Sequence, residues 1–411
     1  ALPYFLLSVI LISIFSNSLN IFISSSVSII IVECSLTSPF SKIIFTAFNL
    51  DTGGVEKCLV NLVNNLDKNK YEITVFLQVK EGIYLNNLNE NIKVESLNLT
   101  KVKNKILKKI INIFKFIKII IKKYHKYDIS VCYAPGYIPS AIIGYIASKN
   151  NISWMHTNLL TYMENYKPYE NLNLTNEKKV KKFVNRVFFR KFKKNIFVSK
   201  DARSAYLQVY PQDENKSYTI YNLIDYETII DKSKEKINIK KSKKFTFINI
   251  GRQTEFDKRL SRIIDATDML YKEYKDFQVV LVGKGQDTKK YKKQIEKLKL
   301  NNVIKFIDNQ KNPYPYFLLG DVFLLSSEFE GLPTTVLEAL VLNIPVISTN
   351  VSDVKDLINN KYGIVIEKNS KDLYLAMKEM IKSSKKYNKK FNFEKYNEEI
   401  ITKLEGIFNN E

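Results

Sequence analysis

From Ile43 onward, short apolar runs rich in Ile, Val and Phe alternate with stretches of helical period. That alternation predicts parallel sheets covered by helices. The expected strands are Ile43 to Phe48, Glu72 to Leu77, Ile92 to Leu97, Ile129 to Ala134, Ser153 to His156, Ile196 to Ser199 and Tyr218 to Tyr221. Residues 226–244, holding DKSKEKINIKKSKK, then read as a linker. Phe245 to Gly251 opens a second set, continued by Val279 to Val282, Ile304 to Phe306, Val322 to Leu325, Val346 to Ser348 and Ile364 to Ile366. At 411 residues and 45% hydrophobic, the chain exceeds one typical core. The organisation expected is a first α/β domain over 41–225, a linker over 226–244, a second α/β domain over 245–385 and a closing helical segment over 386–411.

Ala1 to Val32 carries no charge but is interrupted by Ser16-Asn-Ser-Leu-Asn20 and by Ser24-Ser-Ser, so it reads neither as a clean spanning helix nor as a signal peptide with a basic start. Residues 1–40 are expected to form an apolar extension outside the fold, or a weak anchor that leaves the lysine-rich remainder in the cytoplasm. The three cysteines, Cys34, Cys58 and Cys132, form no CxxC pair and have no metal-ligand spacing, which fits a reducing compartment and excludes structural zinc.

A net charge of +22 implies an anionic partner. Lys101, Lys108, Lys115 and Lys122 recur every seven residues along one expected helix, with Ile106, Ile110, Ile113, Ile117, Ile120 and Tyr124 on another face. A second basic run extends from Lys178 to Lys194 with Phe and Val interspersed. No nucleic-acid-binding module is present, so nucleic acid is not an expected partner. Two readings stand, solvated outer faces of ordinary helices or docking on an anionic membrane surface.

The richest stretch is Ser326 to Leu340, SSEFEGLPTTVLEAL. Asp321 to Ser326 reads as a buried strand, and Thr334 to Leu342 as a helix with Pro333 near its first turn. Glu330 and Glu338 thus fall at a strand's carboxyl end, the edge where open α/β sheets bind ligands and where helix amides favour phosphate or hydroxyl oxygens. This segment, with Leu342-Asn-Ile-Pro-Val-Ile-Ser-Thr after it, resembles the signature of the retaining GT-B glycosyltransferases called glycosyl transferases group 1, or family 4. Asn343 replaces the family's usual Gly, a mild departure because Asn tolerates the left-handed conformation that ends a helix. The resemblance covers about residues 43 to 408, and it makes Phe393 to Phe408 a closing helix that crosses back to the first domain.

The resemblance implies two Rossmann-like domains facing a cleft, and it implies roles. Glu330 would hold donor-sugar hydroxyls and Glu338 the ribose hydroxyls, with Gly331, Leu332 and Thr334 leading into the helix between them. Gly54, in Thr52-Gly-Gly-Val-Glu-Lys57, would face the donor diphosphate and the acceptor. Gly251-Arg252 with Lys258 would clamp the diphosphate; Lys258 falls one position later than is commonest, so Arg259 competes for the role. Gly283, in Val-Gly-Lys-Gly285, would lie near the nucleotide base, although such a turn is common without any ligand. His156, after Trp154-Met155, would stand beside the sugar–phosphate linkage. No Asp-x-Asp metal site is evident, and Arg and Lys charges with helix dipoles would serve instead.

These features give the expectation of a retaining, metal-independent glycosyltransferase without a cofactor. It would carry a sugar from a nucleoside diphosphate sugar to a glycan or polyprenyl-linked acceptor in cell-surface polysaccharide synthesis, peripheral on the inner face of the cell membrane. A nucleotide-sugar epimerase of the same fold is the alternative. A non-catalytic protein that binds anionic surfaces is expected only if Glu330, Glu338 and Arg252 are dispersed in space.

Overall fold

The computed structural model describes residues 40–51, 53–97, 104–164, 174–186 and 189–409. Residues 1–39, Thr52 and Lys101 lie outside the described residues, as do the side chains of Lys108 and Arg186. Within them the strands form two sheets, each paired in parallel throughout. The first holds β1 (Ser41–Ala47), β2 (Tyr71–Leu77), β3 (Lys93–Ser96), β4 (Ile129–Cys132), β5 (Asn150–Met155), β6 (Lys194–Phe197) and β7 (Ser217–Thr219) in the order β3-β2-β1-β4-β5-β6-β7. The second holds β8 (Phe245–Ile250), β9 (Phe277–Val282), β10 (Ile304–Ile307), β11 (Val322–Leu325), β12 (Val346–Thr349) and β13 (Gly363–Ile366) in the order β10-β9-β8-β11-β12-β13.

β4, β9, β11 and β12 are buried along their whole length, which is why they read as unbroken apolar runs rather than alternating ones. Ile43 sits level with Ile73 of β2 and Ile129 of β4, and Phe247 sits level with Val279 of β9 and Val322 of β11. In each sheet the first strand has successors on both sides. The strand order therefore reverses between β1 and β4 and again between β8 and β11, and ligands bind outside the carboxyl ends at such reversals.

Seven helices that position the site or join the domains are labelled α1 (Gly54–Asn65), α2 (Lys105–Lys123), α3 (Lys200–Val209), α4 (Leu260–Glu273), α5 (Tyr314–Phe317), α6 (Thr334–Val341) and α7 (Phe393–Asn409). α1 and α6 each follow the first strand on one side of a reversal, β1 and β11. One apolar cluster runs from β1 and α1 through Tyr314, Val336 and Leu337 to Ile248 and on to Leu404 of α7. The two domains therefore share a core along one side.

The structure adds detail to two expectations. The segment 226–244 holds a helix, Tyr226–Ser233, capped by the Asp225 carboxylate, which accepts from the Thr228 amide at 3.0 Å. The isoleucine row of α2 also divides. Phe116, Ile119 and Ile120 pack on Ile44, Phe76 and Ile143, whereas Ile106, Leu107, Ile110, Phe114 and Ile121 are exposed. A continuous apolar row in sequence thus serves two faces, because α2 is apolar over more of its circumference than one packing seam uses.

α7 seats on the first domain. Asn150 Nδ2 donates to the Phe408 carbonyl at 3.1 Å, Lys70 pairs with Glu405 at 3.0 Å, and the Phe408 ring meets Tyr71 edge-on. A carboxylate ties the domains at the far side. Asp353, after β12, accepts from the Lys200 and Asp201 amides at 2.6 and 3.1 Å and from the Tyr221 hydroxyl at 2.8 Å. It is a helix cap supplied by the other domain, favoured by the positive end of α3. Asp353→Ala leaves two amides and a hydroxyl without their acceptor. Since a hydrogen bond to a charged group contributes about 1.5–3 kcal/mol, the unfolding midpoint in a thermal scan is expected to fall by several degrees; an unchanged midpoint would show that this contact adds nothing.

Candidate active site

A cleft of about 1150 Å³ opens where the two strand-order reversals face each other. Four loops build it, one after each strand that flanks a reversal. They supply Gly53-Gly54 after β1, Ala134 to Tyr137 after β4, Gly251 to Lys258 after β8 and Phe329 to Thr335 after β11, and His156 joins them from the end of β5.

Of the residues singled out from sequence, Gly54, His156, Gly251, Arg252, Lys258, Glu330, Gly331, Leu332 and Thr334 line this cleft. The Lys258 ammonium pairs with Glu330 Oε1 at 2.5 Å, and the Ser327 hydroxyl donates to the same oxygen at 2.7 Å. Arg252 Nη2 pairs with Asp257 at 2.8 Å, with 67% of the Arg252 side chain exposed. Burial alone would raise the Asp257 pKa, but the Thr254 hydroxyl, Lys258 and Arg252 outweigh it and hold the carboxyl below its usual range. Cations and carboxylates thus alternate along the second-domain wall.

Three others lie off the cleft wall. Arg259 stands at the left-handed position before α4 (φ 49°), with its guanidinium 3.6 Å from both Glu255 and Glu328. Gly283 (φ 130°) packs on the preceding turn: a Cβ there would fall 2.1 Å from the Gly251 carbonyl oxygen. Its glycine is explained by backbone packing of Val282-Gly-Lys-Gly285 against the 251–253 loop. Glu338 is 5% exposed and faces the first domain, where Lys57 donates to its carboxylate and to the Tyr314 hydroxyl. Lys57 and Tyr314 were not singled out from sequence. The signal for Lys57 was a cation in the first turn of a helix, where the macrodipole disfavours it.

Burial would lower the Lys57 pKa, but Glu338 and Tyr314 raise it above the usual lysine value, so the ammonium stays charged. Burial pushes the neighbouring Cys58 thiol up to about 12, which leaves it protonated and inert. Asn343 takes φ 55°, the left-handed conformation anticipated for the end of α6.

His156 is held against the Tyr133 ring, with Nε2 3.0 Å from the Tyr133 carbonyl oxygen. A carbonyl only accepts, so Nε2 carries the proton and Nδ1 is the acceptor. Its own carbonyl closely approaches the second-domain wall. A Cβ on Gly331 would fall 1.9 Å from the His156 carbonyl oxygen, so only glycine fits where the two walls meet. Among the described residues no group of three or more His, Cys, Asp or Glu side chains could hold a metal ion.

Burial drives the His156 pKa down to about 3 from the usual 6.5. Above pH 6.5 the ring is neutral in both folded and unfolded chains. Below it the unfolded chain takes a proton that the folded ring refuses, so stability is lost as pH falls from 6.5 towards 3. The slope is at most about 1.4 kcal/mol per pH unit. Denaturant midpoints at pH 7, 6 and 5 are expected to converge for His156→Gln relative to the wild type; parallel pH profiles would place the acid sensitivity elsewhere.

Comparison with known proteins places this geometry. Residues 52–228 match the family described as Glycosyltransferase Family 4, and residues 230–398 match that described as Glycosyl transferases group 1. An uncharacterized glycosyltransferase of Methanocaldococcus jannaschii is 34% identical over 179 residues, 39% of this chain and 44% of that protein. The capsular polysaccharide biosynthesis glycosyltransferase CapH of Staphylococcus aureus is 28% identical over 245 residues, 58% of this chain and 64% of that protein. The chain thus spans less than two thirds of either relative. The crystal structure of Anabaena HepE in complex with UDP-glucose superposes with a TM-score of 0.69 at 20% identity, covering 89% of this chain and 100% of HepE, a likeness of fold. With two parallel Rossmann-like sheets facing one cleft and both halves matched in order, the chain belongs to the group 1 glycosyltransferases of the GT-B fold.

Proposed function

We propose that this enzyme transfers a sugar from a nucleoside diphosphate sugar to a glycan or polyprenyl-linked acceptor, with retention and without a metal, in cell-surface polysaccharide synthesis. The observation that carries the reading is the Lys258–Glu330 pair on one wall of the cleft, with Arg252 beside it and His156 on the opposite wall. CapH, named for capsular polysaccharide biosynthesis, supports the polysaccharide role, and the HepE complex with UDP-glucose supports the donor class.

On this reading Arg252 and Lys258 take the diphosphate, as the bond from the anomeric carbon to phosphate oxygen breaks and negative charge develops there. Glu330 and His156 Nδ1 accept from donor-sugar hydroxyls and fix the ring. The acceptor oxygen bonds to the anomeric carbon on the face the phosphate leaves, and its proton passes to the departing phosphate. No cofactor enters.

The outer surface supports a peripheral membrane location. α2 exposes Ile106, Ile110, Phe114 and Ile121, and beside it Lys80, Lys115, Lys118, Lys122 and Lys123 line a hollow of about 450 Å³ along β3. Apolar anchors flanked by cations suit an anionic bilayer surface. Among the described residues no helix is long and apolar enough to cross a membrane.

Three measurements test these readings. Arg252→Ala should lose about 3 kcal/mol of transition-state stabilisation, about a hundredfold in turnover, while EDTA leaves the wild type active. Proton NMR of the early product should show the donor's anomeric configuration; an inverted product, or activity abolished by EDTA and restored by manganese, overturns the mechanism. Replacing Lys108, Lys115 and Lys122 with Gln should weaken binding to anionic vesicles by roughly two orders of magnitude, at about 1 kcal/mol per lysine. Equal sedimentation with neutral and anionic vesicles would return these lysines to ordinary solvated faces.

A further inference from the structure

Lys57 stands in the first turn of α1, yet its ammonium serves the other domain. It donates to Oε1 of Glu338 and to the Tyr314 hydroxyl, and it lies 4.8 Å from the centre of the Tyr314 ring. The contact is enclosed: the Lys57 and Glu338 side chains are 18% and 7% exposed. A cation at a helix N-terminus opposes the macrodipole, so Lys57 does not serve α1 itself. A buried ion pair also repays its desolvation only with good geometry and further hydrogen bonds, which Tyr314 supplies here.

Position gives the pair its meaning. Gly54 and Cys58 of α1 line the cleft, and so do Thr334 and Thr335 of α6. A Cβ on Gly54 would stand 3.9 Å from Thr334 Oγ1, so the two helix N-termini nearly touch across the gap. The Lys57–Glu338 contact lies one turn behind both. Whatever sets its length sets the spacing of these two N-termini, where backbone amides from both domains can reach one anion.

We propose that Lys57 is a positioning residue for the donor nucleotide: by gripping Glu338 it fixes the separation of the α1 and α6 N-termini and presents to the donor a carboxylate already aimed. Glu338 lies behind the cleft wall, and with Oε1 held by Lys57 its Oε2 is the oxygen left for a ribose hydroxyl that reaches past the α6 N-terminus. The inference rests on the glycosyl-donor reading above, and it adds that ribose recognition and domain spacing share one carboxylate. Lys57 itself touches neither donor nor acceptor.

The test compares Lys57→Met, Lys57→Arg and the exchanged pair K57E/E338K with the wild type in three measurements: thermal midpoint, radius of gyration by small-angle X-ray scattering without ligand, and affinity for uridine diphosphate by calorimetry. Lys57→Met should expand the particle and weaken the nucleotide at least tenfold, whereas Lys57→Arg should stay within about threefold of wild type. The exchanged pair should restore compactness but not nucleotide affinity, because a lysine then stands where the ribose needs an acceptor. A mere structural staple would lower the midpoint of Lys57→Met and leave scattering and affinity per folded molecule unchanged, and that result overturns the proposal. Should Lys57→Met be recovered only as aggregate, Lys57→Gln, which keeps one donor, carries the same comparison. A wild type that binds no nucleoside diphosphate refutes the donor reading instead, and the scattering comparison then decides alone whether Lys57 sets the domain spacing.

Discussion

Behind the cleft a lysine on a helix of the first domain and a carboxylate on a helix of the second are buried against each other, and on the inference above the spacing of the cleft's two walls depends on that contact. Either charge alone would cost several kcal/mol to bury, so the Lys57–Glu338 pair favours the domain arrangement that keeps the two together. Asp353 acts likewise at the far side, its carboxylate on the α3 amides. Gly331 against the His156 carbonyl is the steric stop between them. All three contacts involve residues that follow a strand's carboxyl end, where parallel topology delivers loops and helix N-termini.

The chain carries +22, yet the cations near its cleft are balanced. Arg252 meets Asp257, Lys258 meets Glu330, Lys57 meets Glu338, and Arg259 leans on Glu255 and Glu328. Much of the excess charge lies on outer surfaces such as the hollow beside α2. Under the proposed reading, an incoming diphosphate exchanges partners with carboxylates rather than filling a vacant cationic site. Holding a cation on a carboxylate keeps the ammonium or guanidinium near its working position, so less reorganisation remains when negative charge develops.

Much of this was legible in the residues. The strands and their alternation, the helix ending at Asn343 and the loop bearing Glu330 follow from apolar period and turn chemistry, which are local properties. The partner of Glu338 is not local. Its position eight residues after Glu330 says that both belong to one strand–loop–helix unit; which domain each carboxylate faces depends on how α1 and α6 meet, and Lys57 is 281 residues away. Gly283 poses a related problem. A glycine in a turn near a nucleotide base and one demanded by a neighbouring backbone look alike in sequence, and the approach of the Gly251 carbonyl shows the backbone's demand. The α2 row failed differently: an isoleucine-rich helix has more apolar surface than one seam can bury, so periodicity could not say which residues remain outside.

The pairing pattern also sorts the groups that can handle an acceptor's proton. Oε1 of Glu330 is taken by Lys258 and Ser327, Asp257 is held by Arg252 and Thr254, and His156 is a neutral ring that donates from Nε2 to a carbonyl and keeps Nδ1 as an acceptor. Glu56 differs. It lines the cleft from the first turn of α1, and among the described residues no cation pairs with it. Burial raises its pKa, only partly offset by a backbone hydrogen bond. Under the proposed reading, an acceptor hydroxyl entering along the first-domain wall can donate to Glu56, while Glu330 serves the donor sugar through the oxygen that Lys258 and Ser327 leave open.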